Sequence, residues 1–401
     1  MARLSLYLPS FAADYSGVCS CLFDLDFLVV INDAACCTRN YIDYDEPRWS
    51  RDKATALCAK LRTMDVVMGD EAKTLAKVKA AAREMRPCGI ALLGSPVPAI
   101  TGMDMDGMAR EVEDATGIPS LGFPTTGFST YERGVGLALR GLREKFGGTE
   151  GFGASAPASD GTQAGRPVVD VLGLTPLDFG MVGTAEDLRA LLEKDGFVVG
   201  ATWCDGFSLE DVARAGRASV NLVVSSGALG VAELLWRRMG VPYVVGVPCA
   251  GRQASLVLAS LHDALADGRP RFAFAEGPAL PSQAGRAGGG RMLVVGDWVC
   301  AASLRSAFRL AGWDGPVVVA SLFGARPSFA EAGDRALPGD RDLAALAARG
   351  GFDVVVGDPL LERVPGVGCA RHVRLAHPAV SSNLFSDEVP RYVADNVTRE
   401  V

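Results

Sequence analysis

Residues 88–127 constrain the fold more than any other stretch, because they read as strand, loop, helix and next strand in immediate succession. Gly89-Ile90-Ala91-Leu92-Leu93 is a continuous apolar run of the kind found in parallel strands buried on both faces. Met105, Met108, Ala109 and Val112 then fall at i, i+3, i+4 and i+7, which is one face of a helix. Asp104 and Asp106 lie in its first turn, where the helix dipole favours negative charge, and Gly117 ahead of Ile118-Pro119 is a stop signal. Residues 95–102 read as a loop at the carboxyl end of a strand, the place where ligands bind in open α/β sheets.

The same rhythm recurs along the chain. Strands are predicted around residues 27–31, 66–68, 89–93 and 120–123, then 168–172, 197–202, 220–224 and 243–247, and finally 292–297, 317–320 and 353–356. Residues 147–166 and 276–290 interrupt it. They are rich in Gly, Ala, Ser and Pro without an apolar period and read as linkers. With 401 residues the chain is too long for one core. The expected organisation is a first α/β domain over 1–146, a second over 167–275, a third over 291–371 and a C-terminal segment over 372–401. Strand–helix alternation implies parallel sheets with right-handed crossovers. No Gly-x-Gly-x-x-Gly follows the first strand and no Gly-x-x-x-x-Gly-Lys-Ser/Thr occurs, so neither a dinucleotide nor ATP is an expected ligand.

Composition narrows the partners. A hydrophobic share of 49% with 22% charged residues is that of a soluble globular protein, and a net charge of −7 offers no basic field for nucleic acid. No apolar run is long enough to span a bilayer, and Met1-Ala2-Arg3-Leu4 is expected to run straight into a strand rather than a signal peptide. The expected compartment is the cytoplasm. There, ten cysteines are reduced thiols, serving as metal ligands or as small buried hydrophobes.

Gly94-Ser95-Pro96-Val97-Pro98-Ala99-Ile100-Thr101-Gly102-Met103-Asp104 resembles the loop of nitrogenase component 1 type proteins, where Gly-Thr-Cys-x-x-x-x-x-Gly-Asp-Asp supplies a cluster-binding cysteine. Asp45-Glu46-Pro47-Arg48-Trp49 resembles a Glu-Pro-Arg-aromatic segment of the dark-operative protochlorophyllide reductase subunits, and Met64-Asp65-Val66-Val67-Met68-Gly69-Asp70 resembles the family's Asp-x-Val-Phe-Gly-Gly. Asn221-Leu222-Val223-Val224 and Met239-Gly240-Val241-Pro242-Tyr243 are similar to its second domain. The resemblance implies three Rossmann-like domains, doubly wound around mainly parallel sheets, enclosing a central cleft, with residues 372–401 returning to the first. It also implies electrons received from an ATP-hydrolysing iron–sulfur reductase and passed through an iron–sulfur cluster near a subunit interface.

On that resemblance Cys37 stands at a ligand position, and Cys36 beside it can exchange roles with it; the alternative for Cys37 is a thiol packed under the loop. Pro96 takes the place of another ligand and cannot bind iron. Cys19 is the next candidate, on a helix whose dipole would favour a thiolate, and Cys58 a further one. Too few thiols for one chain implies a homodimer, or a heteromer with a related subunit, sharing one bridging [4Fe–4S] cluster. Ser225-Ser226 replaces the cysteine that holds the large nitrogenase cofactor, which argues against dinitrogen reduction and for a small organic substrate in an open cleft. Ser225, Ser226 and Arg39 are the expected cofactor-contacting residues. His377 is the expected proton donor, its alternative being a loop hydrogen-bonder. For Arg39 and Arg48 the favoured reading is an intrachain salt bridge with Asp43, Asp45 or Glu46. Two rival functions remain at this level: a cofactor-assembly scaffold or carrier of the same fold, and a metal-free ligand-binding module.

Overall fold

A computed structural model describes residues 5–52, 54–147, 162–163, 165–249, 251–277, 290–395 and 397–400. Its strands form three sheets. In the first, Thr55–Cys58, Phe27–Ile31, Gly89–Leu93 and Ser120–Phe123 lie side by side in that order, all parallel. The second runs Arg271–Phe272, Tyr243–Val245, Val220–Val223, Arg166–Leu172, with Val198–Thr202 parallel to Arg166–Leu172 and Thr162–Gln163 antiparallel to it. The third runs Arg335–Ala336, Val317–Ser321, Met292–Val295, Val354–Gly357, Arg371–Arg374. In each sheet the earliest long parallel strand sits inside, with the chain winding out to both sides, so a crevice opens at the strands' carboxyl ends.

Period-two alternation explains how the first sheet is covered. Leu28, Val30, Ile90 and Leu92 face a core closed by Met105, Met108, Ala109 and Val112 of the Met105–Thr116 helix. Phe27, Val29, Ile31, Ala91 and Leu93 face the opposite way, into the main core that continues through the other two sheets. Each fully enclosed aliphatic side chain stabilises this arrangement by about 1.5–3 kcal/mol. Two helices on that face, Asp14–Leu22 and Tyr131–Phe146, cross at glycines. A Cβ on Gly17 would stand 2.0 Å from the Tyr131 carbonyl oxygen and one on Gly134 1.8 Å from that of Asp14, so only hydrogen allows the backbones to meet.

Three local expectations are corrected. Residues 66–68 belong to a helix, Thr63–Met68, and the edge strand of the sheet is Thr55–Cys58 instead. Met64, Val67 and Met68 point outward, so a strand there would have had no partner for its apolar side chains. The 95–102 loop contains a helix, Pro96–Thr101, because Pro96 at its first position is pre-set for helical φ and Gly102 ends it in the left-handed region. The amino-terminal expectation falls partly on residues 1–4, outside the described residues. Beyond them the chain is not a strand: Leu6, Tyr7 and Leu8 donate their backbone N–H groups to Asp340 at the start of a third-sheet helix. The segments read as linkers, 147–166 and 276–290, lie for the most part outside the described residues. The C-terminal segment reaches the first sheet's surroundings, where Ala12 N–H donates to the Ala379 carbonyl. No helix among the described residues is long and apolar enough to cross a membrane.

Candidate functional site

Two polar loci form at the carboxyl ends of the strands. The first lies where all three sheets converge. Asp297 stands one residue beyond Met292–Val295, after Gly296, and caps the Trp298–Leu310 helix, accepting from the Val299 and Cys300 N–H groups. The same carboxylate accepts from the Ser226 N–H at 3.2 Å, tying the third sheet to the loop after Val220–Val223. His377 follows the third sheet's last strand and is held by its own N–H donating to Asp358 at 2.8 Å; Ser381 Oγ donates to the same oxygen. Its Nε2 lies 3.2 Å from both Asp178 Oδ1 and the Tyr131 hydroxyl, and Tyr131 donates to that Asp178 oxygen. An Nε2–H tautomer satisfies both oxygens. Phe323 completes the wall, its ring edge-on to both Tyr131 and His377.

This locus is buried, and several of its polar atoms lack a partner among the described residues. Burial, and next the Asp178 carboxylate, push the Asp297 carboxyl up to about 7. Burial likewise drives the Tyr131 hydroxyl far above its usual range. Asp178 Oδ2, Ser225 Oγ and Ser226 Oγ find no hydrogen-bond partner among the described residues. The cavity beside Asp178, Asp297 and His377 measures about 20 Å³, room for little more than a water molecule. Among the described residues the space at this point is therefore far smaller than an organic substrate would fill. A larger cavity of about 200 Å³ lies between the first and second sheets, lined by Arg48, Arg51, Thr175, Phe179, Thr184 and Asp205.

The second locus gathers thiols at the carboxyl end of the first sheet. Cys36 and Cys37 open the Cys36–Asn40 helix just after Phe27–Ile31, the first exposed and the second half-buried. Cys58 ends the neighbouring strand and donates to Asp33 Oδ1 at 3.0 Å; Asp33 Oδ2 accepts from Thr38 N–H. Burial and Asp33 raise the Cys37 thiol to about 11. Cys19 lies one layer deeper, enclosed beneath Asp45 and Glu46. The expected dipole assistance is reversed there: burial and those two acids hold its thiol well above the ordinary value, and it sits past the first turn of Asp14–Leu22. Among the described residues no group of three or more His, Cys, Asp or Glu side chains is placed to hold a metal ion.

Exposed apolar side chains follow the same strand ends and form a rim to this end of the sheet. Tyr44, Met64, Val67, Met68, Ile100 and Phe128 are 56–77% exposed and come from segments following each of the four first-sheet strands. Arg39 does not reach inward; it pairs with Asp43 at 2.7 Å on the surface. Arg48 is buried, paired with Glu46 and Asp24 at 2.8 Å each and donating to the Ser20 and Cys204 carbonyls. Sequence reasoning missed Tyr131, Asp178 and Asp297. The last had a signal: Gly-Asp directly after a buried strand occurs at both Gly296-Asp297 and Gly357-Asp358, and both carboxylates serve this junction.

Three doubly wound sheets with their carboxyl ends converging on a buried polar junction, and thiols grouped separately at the end of the first sheet, define an α/β class of mainly parallel sheets. Residues 17–382 match the nitrogenase component 1 type oxidoreductases, and the chain belongs to that family. Nitrogenase Cp1 at pH 6.5 shares the fold, with a TM-score of 0.67 and 15% identity over 100% of this chain and 93% of that one. The nitrogenase iron-molybdenum cofactor biosynthesis protein NifE of Klebsiella pneumoniae is 27% identical over 52% of this chain and 45% of its own length. NifE of Sinorhizobium fredii is 25% identical over 48% and 37%. These matches therefore span less than half the length of either relative.

Proposed function

We propose that this chain is a cytoplasmic, nitrogenase-like component 1 subunit that pairs with a second copy, or with a related subunit, across the rim of its first sheet. Cys37 and Cys58 would hold a shared [4Fe–4S] cluster there, with Cys36 able to replace Cys37. The observation that carries this reading is that those thiols and a set of exposed apolar side chains share the carboxyl end of the first sheet, while the described residues of one chain bring no three His, Cys, Asp or Glu side chains together and a second copy would double the thiols. When bound, such a cluster supplies a one-electron relay, filled by an ATP-hydrolysing iron–sulfur reductase.

The chain's own residues have separate tasks. Soft thiolates suit iron, and the raised Cys37 thiol means that ligation must displace its proton. At the three-sheet junction His377, oriented by Asp358, holds a proton between Asp178 and Tyr131, and Asp297 stores a second near neutral pH. Ser225 and Ser226 place beside that junction hydroxyls that have no partner among the described residues, suited to hydrogen-bonding a small organic substrate.

The second reading is a cofactor-assembly scaffold or carrier. It is favoured by hydroxyls where a metal-holding thiol would stand, by the small junction cavity, and by the NifE relatives being cofactor biosynthesis proteins.

The test is oxygen-free purification and reconstitution, with iron and sulfide analysis and electron paramagnetic resonance of the reduced protein. About four irons per dimer is the expected content, lost in Cys37→Ala. Unchanged iron in that variant removes Cys37 from the site. Turnover with a reducing ATPase partner separates the reductase from the carrier, which would instead release its cargo once per binding event.

A further inference from the structure

We infer that Cys21 and Cys204 form an oxidisable thiol pair, a modification site whose oxidation by peroxide staples the first sheet's helix to the second sheet. Their sulfur atoms lie 3.3 Å apart, although 183 residues separate them. Both thiols are free and fully buried. Cys21 projects from the Asp14–Leu22 helix, and Cys204 from the turn after Val198–Thr202.

That turn is held in place by groups unrelated to the thiols. Arg48 donates to the Cys204 carbonyl, the Gly206 N–H donates to Asp24, and Arg48 in turn pairs with Asp24. Within the second sheet, Trp203 N–H donates to the Val171 carbonyl and Thr202 Oγ1 to the Asp205 carbonyl. So clamped, Cys204 sits at φ 82, a left-handed conformation that glycine adopts freely and a cysteine adopts only under constraint. The constraint presents its sulfur to Cys21. Access is short, since the adjacent residue, Asp205, lines the 200 Å³ cavity between the two sheets.

The chemistry balances with hydrogen peroxide as the two-electron oxidant. One thiolate attacks a peroxide oxygen, an S–O bond forms as the O–O bond breaks, and the leaving hydroxide departs as water. The second sulfur then attacks the sulfenic sulfur, the S–S bond forms as the S–O bond breaks, and a second water leaves with the second thiol's proton. Two thiols and one peroxide yield one disulfide and two waters. A dithiol reductant reverses it. Burial and the Cys21 thiol hold Cys204 well above the ordinary thiol value, so the reaction is slow at neutral pH and faster in alkali.

The full-length chain, purified without oxygen and with its exposed thiols first alkylated in the folded state, is treated with hydrogen peroxide and digested under non-reducing conditions. A cross-linked peptide joining Cys204 to the amino-terminal fragment is expected, absent after dithiothreitol and absent in Cys21→Ala. Cys204→Gly relieves the left-handed strain, so it retains the fold and keeps the assay informative; it must lose the cross-link and the thermal shift. Peroxide should raise the wild-type unfolding midpoint by roughly 3–6 °C. Recovery of both thiols after denaturation, a cross-link surviving Cys21→Ala, or over-oxidation without a bond overturns the assignment.

Discussion

The imidazole Nε2 of His377 stands 3.2 Å from Asp178 Oδ1, joining the end of the third sheet to a short helix of the second across 199 residues. Because Tyr131 donates to the same oxygen, Asp178 is the common acceptor of two buried donors from two other units. Asp178→Ala strips both donors at once and should lower stability by about 2–4 kcal/mol, read as a fall in the urea midpoint. Asp178→Asn keeps one acceptor and should recover part of it. Equal midpoints for Ala and Asn would show that the junction does not depend on this oxygen.

Arg48 and Arg39 both pair with carboxylates, yet their environments separate them. Arg48→Met leaves Glu46 buried without its cation and should cost about 3–5 kcal/mol. Arg39→Met removes a pair exposed on the surface and should change stability by about 0.5 kcal/mol or less. Chemical denaturation of the two variants side by side checks the contrast, and similar losses would refute it.

Burial pushes the Asp170 carboxyl up to about 7 from an ordinary 3.8. Between those values the folded chain holds a proton that the unfolded chain has lost, so stability is full below the lower value and falls as pH rises through the upper one. Asp170→Asn cannot titrate and still accepts from the Ala201 N–H, which lies 3.0 Å from the Asp170 carboxylate. Its advantage over wild type should grow by up to about 4 kcal/mol between acid and mild alkali. Parallel stability curves for the two proteins would mean that Asp170 is charged in the fold.

Val67 and Met68 contribute to the apolar rim and are 71% and 72% exposed. Val67→Asp should leave thermal stability within about 0.5 kcal/mol of wild type. The same variant should shift the sedimenting species from dimer toward monomer and lose reconstituted iron with it. A variant that stays dimeric with full iron would move the subunit contact elsewhere.

Much of the fold is written in short range. The run Gly89–Leu93, the helical spacing of Met105, Met108, Ala109 and Val112, and the stop at Gly117 each act through neighbours a turn or a strand away, and each element is found where its period places it. Residues 66–68 misled because Val67 and Met68 are apolar without being buried and make the rim rather than a sheet, while Val66 packs against the core from a helix. Salt bridges of Arg39 and Glu46-Arg48 were legible for the same short-range reason, being four and two residues apart. Asp24, the other partner of Arg48, is 24 residues distant and left no mark.

Periodicity of apolar side chains alone settled that this chain builds parallel sheets wrapped by helices, since hydrophobic burial rewards only faces that repeat with the backbone. Which side chains from the three sheets touch was decided by packing: Tyr131 meets Asp178 across 47 residues and His377 across 246, and Cys21 meets Cys204 across 183. Contacts at such separations carry no local pattern, because they exist only after the layers have closed and their geometry is set by every residue between.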